Sequence, residues 1–248
     1  MCQAFSAIVM KNGDVKWKMG LDSHSEILRH FEIPDNEDDP KFLKFARVEI
    51  TPKNKSYLNP DKWKFQLDEN IKPEWFTKSY ELFAFEAHKL WLTELDKILI
   101  HKPIIHPFRD IEPPKKITKK HLDLLKKWDS VGDSVEDSVW NSVRKSVRNS
   151  VGNSVWDSVW DSVENSVWNP VRASVRASVG NSVRAYIGSF FNLPRDQWKY
   201  TENIKCKGYP FQSAVDLWMM GLVHSFDGKV WRLHGGKDAK IMWEGEVK

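Results

Sequence analysis

The chain has 248 residues, of which 41% are hydrophobic, and it carries a formal net charge of +4 with a pI near 8.9. This length and composition are typical of a globular protein with a buried core, and the mildly basic balance permits a nucleotide or nucleic-acid partner without requiring one. Two cysteines, Cys2 and Cys206, exclude a disulfide framework and favour a reducing cytosol. The first residues do not show a basic region followed by an apolar stretch and a small-residue cleavage site, so we expect no export. No apolar run reaches the roughly 18 residues that a membrane span needs. We therefore expect a cytoplasmic protein that does not interact with membranes.

The first 112 residues predict an α+β domain. The strand patterns QAFSAIVM and DVKWKMG flank the turn sequence Asn12-Gly13-Asp14, which is typical of a β-hairpin. A helix follows at DSHSEILRHF, where Ser23 and Glu26 fit a capping box. Two further strands are predicted at FLKFARVEITP and KWKFQLDE, and near-helical apolar spacing predicts one or two helices after Pro73.

Three more regions complete the predicted organisation. Prolines between residues 102 and 114 indicate a loop, and residues 113–128 form a basic linker that contains the helical pattern ITKKHLDLLKKW. Residues 129–188 form a tetrapeptide-repeat array. Residues 189–248 predict a small α+β cap, with a helix at FQSAVDLWMMGL and a closing hairpin whose turns lie at Asp227-Gly228 and Gly235-Gly236.

The array repeats a unit that we write p1-Ser-Val-p4. Only p4 varies widely in character, and it is Trp, Arg, Glu or Gly. The p4 series Glu-Trp-Arg-Arg-Gly from Glu136 to Gly152 recurs from Glu164 to Gly180, which indicates a duplication. The array carries six basic and seven acidic residues, so its net charge is −1.

Two structures compete for this array. In one continuous α-helix, a four-residue period would rotate the Val stripe by about 40° per repeat, and Ser, Val, Asp and Asn are weak helix formers. In one continuous strand, neither face would be apolar. The sequence therefore favours a short β-solenoid in which each tetrapeptide forms one side and Val points inward. Helical repeats are the alternative.

Several stretches carry a resemblance to known proteins. They are the run SVWDSVWDSV, the opening MCQAFSAIV followed by DSHSEIL and RVEITP, and the closing PFQSAVDLWMMGLVHSFDGKVWRLHGG. Together they are similar to a group of uncharacterised bacteriophage and prophage proteins that carry SVWDSV-type repeats, and the resemblance covers most of the chain. It implies a phage gene product that acts inside a bacterial host cell, with counter-defence as an extension of that habitat. It brings no assigned activity and no catalytic residues.

The catalytic candidates are few. Removal of Met1 would leave Cys2 with both a thiol and an α-amine, as in N-terminal nucleophile enzymes. The pair His101 and His106 lies in the proline-containing loop and, with Arg109 and Asp110, could form a hydrolytic or phosphate site. Neither the histidine nor the cysteine spacing matches a metal-ligand signature, so no metal and no cofactor are expected.

The p4 side chains are the main binding candidates. Indole planes interleaved with guanidinium groups can stack on bases and hold phosphates, and Trp and Arg are also enriched at protein interfaces. The predicted ligand-binding residues are Trp140, Arg144, Arg148, Trp156, Trp160, Trp168, Arg172 and Arg176.

These residues predict a non-enzymatic binding protein that sequesters a nucleotide-like small molecule or a host protein. The near-neutral charge of the array disfavours extended nucleic acid, and exposed solenoid ends or Trp-rich faces favour a homo-oligomer. The alternative function is a hydrolase or phosphodiesterase that uses Cys2 or the loop of His101 and His106.

Overall fold

The protein is of mixed α+β class. The computed structural model describes residues 5–35, 44–51, 63–132, 136–175 and 179–247. The fold groups into two compact units, one formed by Met1–Ile98 with Arg148–Ser158 and the other by Leu99–Val147 with Val159–Lys248. The repeat array contributes residues to both units. Among the described residues, no helix combines the length and apolarity that crossing a membrane would need.

The first unit contains a four-stranded antiparallel sheet. Its strands are β1 (Phe5–Met10), β2 (Val15–Lys16), β3 (Phe45–Thr51) and β4 (Lys64–Leu67), in the order β2-β1-β3-β4. The predicted hairpin is confirmed: Gly13 adopts φ +94° in its turn, a conformation that costs glycine little.

Each face of this sheet is packed against a helix. Helix α1 (His24–His30) places Ile27 and Leu28 against Ile8 and Phe45, which lie on one face. Helix α2 (Lys78–Ile98) packs on the opposite face, where the Trp91 ring lies 5.8 Å from that of Phe5. The predicted helix at α1 is confirmed, but its capping box is not, because the Ser23 side chain makes no capping hydrogen bond.

The described repeats are helical. They form the end of α3 (Lys119–Gly132), then α4 (Glu136–Val151), α5 (Asn153–Val163), a π-helical turn (Glu164–Trp168), α6 (Asn169–Ser174) and α7 (Gly180–Gly188). The β-solenoid prediction is therefore wrong for these residues, and the helical alternative is confirmed for them.

Segmentation of the array explains why a helix tolerates the four-residue period. Helix α4 holds four repeats, so its Val stripe rotates by about 120° from Val139 to Val151, which is close to the width of an ordinary apolar helix face. Both valines are almost completely buried. The π-helical turn after α5 adds residues to one turn and counters the same drift. The solenoid prediction assumed one uninterrupted element, which the chain does not form.

Glycines at p4 mark the helix ends. Helix α3 ends at Gly132, α4 ends one residue before Gly152, and α7 begins at Gly180 and ends at Gly188. Gly152 adopts φ +88° and its N–H donates to the Arg148 carbonyl over 2.9 Å, a common way to end a helix. A glycine at p4 therefore marks a helix boundary in the array.

The C-terminal part of the second unit follows the sequence pattern. A 3₁₀ turn (Arg195–Gln197) precedes α8 (Gln212–Trp218), and the strands β5 (Leu222–Phe226), β6 (Trp231–Gly235) and β7 (Lys240–Gly245) form an antiparallel meander. The predicted helix and the turn at Asp227-Gly228 are confirmed, and the loop prediction for residues 102–114 is confirmed by the absence of helix and strand there.

Candidate functional site

Three tryptophans from consecutive parts of the array meet in the second unit. The Trp140 ring lies 4.7 Å from the Trp160 ring at 66°, and the Trp160 ring lies 5.2 Å from that of Trp168 at 49°. They come from α4, α5 and the π-helical turn, and all three side chains are half-buried. The array therefore presents a continuous aromatic surface that solvent still reaches.

Two arginines lie over these rings. The Arg184 guanidinium lies 5.3 Å from the Trp140 ring centre and 5.8 Å from that of Trp168, so it contacts two indoles. Arg144 lies 5.6 Å from the Trp140 ring. We call Trp140, Arg144, Trp160, Trp168 and Arg184 the Trp–Arg cluster.

Local structure holds Arg184 in place. Its Nη1 donates to Asn181 Oδ1 over 3.0 Å, one turn earlier in α7. Gly180, at the start of the same helix, lies close to Trp168: a methyl group at this position would be 3.7 Å from the ring. The p4 residues of α7 thus approach the p4 tryptophan of the π-helical turn.

The cluster offers both elements that recognise a nucleotide. Indole faces stack on bases, and guanidinium groups bind phosphate oxygens in bidentate fashion. Among the described residues, the contact of the Arg144 guanidinium is with the Trp140 ring, and no described carboxylate forms an ion pair with it. The arrangement suits a small, flat, anionic ligand.

Four of the eight predicted ligand-binding residues meet in this cluster. The other two with described side chains, Arg148 and Trp156, belong to the first unit. Trp156 is only 1% exposed, so its ring is a core side chain and not a binding surface, and Arg148 donates to Asp157 Oδ1 over 2.9 Å. The side chain of Arg172 and all of Arg176 lie outside the described part of the chain.

Of the catalytic candidates, only the loop of His101 and His106 lies among the described residues. Cys2 lies outside the described residues. His101 is exposed, whereas His106 is buried and its Nδ1 accepts the Phe108 N–H over 3.2 Å. Burial lowers the pKa of His106, and the charge of Arg109 lowers it further.

The neighbours of His106 bind the main chain as well. Asp110 accepts the backbone N–H of His106 over 2.7 Å, and Arg109 donates to the carbonyl of Ser166 over 3.2 Å. These contacts connect the side chains of His106, Asp110 and Arg109 to main-chain groups of the loop and of Ser166.

Sequence reasoning missed three features. Arg184 was omitted from the ligand-binding set, although its p4 position was the available signal. His24, Glu49 and Asp68 converge in the first unit from positions whose spacing has no recognisable pattern.

The third feature is a pair of buried Ser–His contacts in the second unit. Ser225 Oγ lies 2.8 Å from His234 Nε2, and Ser182 Oγ lies 3.1 Å from His224 Nε2. Burial lowers the pKa of His224 to about 3, with a further decrease from His234. All four side chains are at most 7% exposed, so these pairs satisfy polar groups in a core.

No protein family, curated protein or solved structure matches this chain.

Proposed function

We propose that this chain is a non-enzymatic binding protein that takes a nucleotide-like ligand at the Trp–Arg cluster, inside a bacterial host cell. The observation that carries the proposal is the position of Arg184 against both Trp140 and Trp168, with Trp160 in contact with both rings. A cation held beside half-exposed indoles is suited to a ligand that has an aromatic face and a negative charge.

The size of the cluster favours a compact ligand. A base would stack on an indole face, and one or two phosphates would bind the guanidinium groups of Arg144 and Arg184. Extended nucleic acid needs a longer row of phosphate contacts, and the net charge of −1 over the array does not supply it. We therefore favour a mononucleotide or a cyclic dinucleotide as the ligand over RNA or DNA.

Two features of the described residues support binding without turnover. Hydrogen bonds to the main chain hold the loop that contains His106, and the Ser–His pairs are buried. In a cell, a protein of this kind would act by removing its ligand from solution. The resemblance to phage proteins supports a role of this type against a nucleotide signal of the host.

The test uses the full-length protein. We would incubate it with ATP, cyclic AMP and a cyclic dinucleotide, remove unbound nucleotide by gel filtration, denature the protein with heat and chromatograph the released ligand. Recovery of an unchanged nucleotide is the expected result. Recovery of a converted nucleotide would establish the hydrolase alternative instead, and the absence of any uptake would reject the nucleotide proposal and favour a host protein as partner.

Substitutions in the Trp–Arg cluster test whether the nucleotide binds there. Arg184→Gln and Trp160→Ala should each weaken uptake at least tenfold, because they remove a phosphate contact and a stacking face. Arg148→Gln is the matched control, since Arg148 occupies the same repeat position but lies in the first unit. Equal uptake by all three variants would place the ligand elsewhere.

A further inference from the structure

A histidine and two carboxylates from three different elements meet on one face of the first sheet. His24 begins α1, Glu49 lies on β3, and Asp68 follows β4. The backbone N–H of Asp68 donates to the Arg47 carbonyl over 2.9 Å, which continues the β3–β4 ladder and puts Asp68 on the same face as Glu49. One potential ligand atom from each of the three side chains lies within 4.8 Å of the other two.

The His24 ring is held in the orientation that metal-binding histidines use. Its Nε2 lies 3.0 Å from the Val48 carbonyl, and because a carbonyl only accepts, Nε2 carries the hydrogen. This bond directs Nδ1 towards Asp68, whose Oδ2 lies 3.1 Å away. A backbone carbonyl that orients the second ring nitrogen is the usual outer partner of a histidine ligand. His24 is 6% exposed, so its position is well fixed.

Within the described part of the chain, no lysine or arginine pairs with the carboxylates of Glu49 and Asp68. The Glu49 carboxylate is half-buried, and no described residue donates a hydrogen bond to it or pairs with it. Arg47, two residues earlier on the same face of β3, is engaged by Glu69 over 3.1 Å and by Asp35. Two carboxylates beside one histidine favour a bound cation electrostatically.

We propose that His24, Glu49 and Asp68 bind a divalent first-row transition ion such as Zn²⁺. Bonds of about 2.0–2.2 Å at angles from square to tetrahedral put two ligand atoms about 3.0–3.5 Å apart, and the distance between His24 Nδ1 and Asp68 Oδ2 already falls in that range. Rotation of the Glu49 side chain brings in the third ligand. The ion replaces the proton on Nδ1 if one is present, and that proton leaves to solvent.

The ligand types and their exposure indicate the kind of site. One imidazole with two carboxylates suits Zn²⁺ or Mn²⁺ better than an all-oxygen ion such as Ca²⁺. Asp68 is about half exposed, with 49% of its side chain accessible, so water can complete the coordination sphere. This site is separate from the Trp–Arg cluster and does not depend on the proposed function.

The test is calorimetric titration of the full-length metal-free protein with Zn²⁺, with Co²⁺ absorption as a second measurement. The wild type should bind one equivalent through this site. Asp68→Asn and Glu49→Gln should weaken that binding at least tenfold, because each removes an anionic ligand and keeps a side chain of similar shape. Mn²⁺ should compete for the same site.

Two control variants test whether Zn²⁺ binds to exposed side chains outside the proposed site. His30→Gln removes an exposed histidine at the other end of α1, and Glu74→Gln removes an exposed carboxylate elsewhere in the first unit. Both variants should bind Zn²⁺ as the wild type does. Wild-type protein that binds no Zn²⁺ would overturn the proposal, and so would wild-type affinity for Zn²⁺ in Asp68→Asn and Glu49→Gln. Circular dichroism shows whether each variant is folded.

Discussion

Two parts of the array use the same repeat for different purposes. In residues 148–158, which belong to the first unit, the p4 tryptophan Trp156 is buried and the p4 arginine Arg148 pairs with Asp157. In the repeats of the second unit, p4 tryptophans are half-exposed and p4 arginines lie against their rings. Val at p3 is buried in almost every described repeat of both. The repeat therefore fixes the scaffold, while the surroundings of each p4 side chain decide its role.

Removal of a p4 ring should have its largest effect on stability in the first unit. Trp156→Ala leaves a large core cavity and should lower the free energy of unfolding by about 3–5 kcal/mol. Trp140→Ala removes a half-exposed ring and should cost about 1 kcal/mol. Urea denaturation of the two variants, followed by hydrogen exchange in each unit, measures this difference. Equal losses would show that the two rings have the same role.

Acid should destabilise both units, with the largest contributions from His88 in the first unit and His224 in the second. Burial lowers the pKa of His88 to about 4 and that of His224 to about 3, both below the value of 6.5 expected in an unfolded chain. Between the two pKa values, the histidine is protonated in the unfolded chain and neutral in the native chain. The free energy of unfolding is therefore highest above about pH 6.5 and falls as the pH decreases. At pH 5 each histidine should cost roughly 2 kcal/mol.

Urea midpoints at pH 7.5 and pH 5 measure that loss. His88→Phe should reduce the loss in the first unit, and His224→Gln should reduce it in the second. His30→Gln is the control, because this histidine is exposed. A pH dependence that is unchanged in both buried variants would assign the acid sensitivity to other groups.

The p4 glycines should differ according to their backbone conformation. At Gly152, φ is +88° and an added Cβ would lie 3.3 Å from Asp22 Oδ2, so Gly152→Ala should cost about 1–2 kcal/mol. Gly180 does not have a positive φ, and an added Cβ would meet Trp168 at an ordinary 3.7 Å. Gly180→Ala should therefore change stability by less than about 0.5 kcal/mol. Thermal unfolding compares the two, and a larger loss at Gly180 would reverse our assignment of these boundaries.

The sequence was sufficient for elements with local signals. The turn around Gly13 and the apolar spacing of α2 depend on neighbouring residues, and both predictions are confirmed. The sequence favoured a β-solenoid over helices for the array because its residues have weak helix propensity. The helices are stabilised by burying Val in tertiary contacts, which outweighs that propensity. The four-residue period alone does not show where the chain stops one helix and begins the next.

Sites assembled from distant residues were harder to predict. Trp140, Trp160 and Trp168 could be proposed because they share one repeat position, but the same reasoning also selected Trp156, which the first unit buries. The meeting of His24 with Asp68 depends on the strand register at the end of β4, and no local spacing encodes it. Whether a side chain is buried or exposed is a property of the whole unit and not of its repeat.

The most direct test of the account is calorimetric titration of the tightest-binding nucleotide from ATP, cyclic AMP and a cyclic dinucleotide into three proteins. These are the wild type, Arg184→Gln from the Trp–Arg cluster, and Arg148→Gln from the same repeat position in the first unit. We expect the wild type and Arg148→Gln to bind with the same affinity and Arg184→Gln to bind at least tenfold more weakly. Equal affinity in all three proteins, or no binding by the wild type, would contradict the assignment of the ligand site to the Trp–Arg cluster.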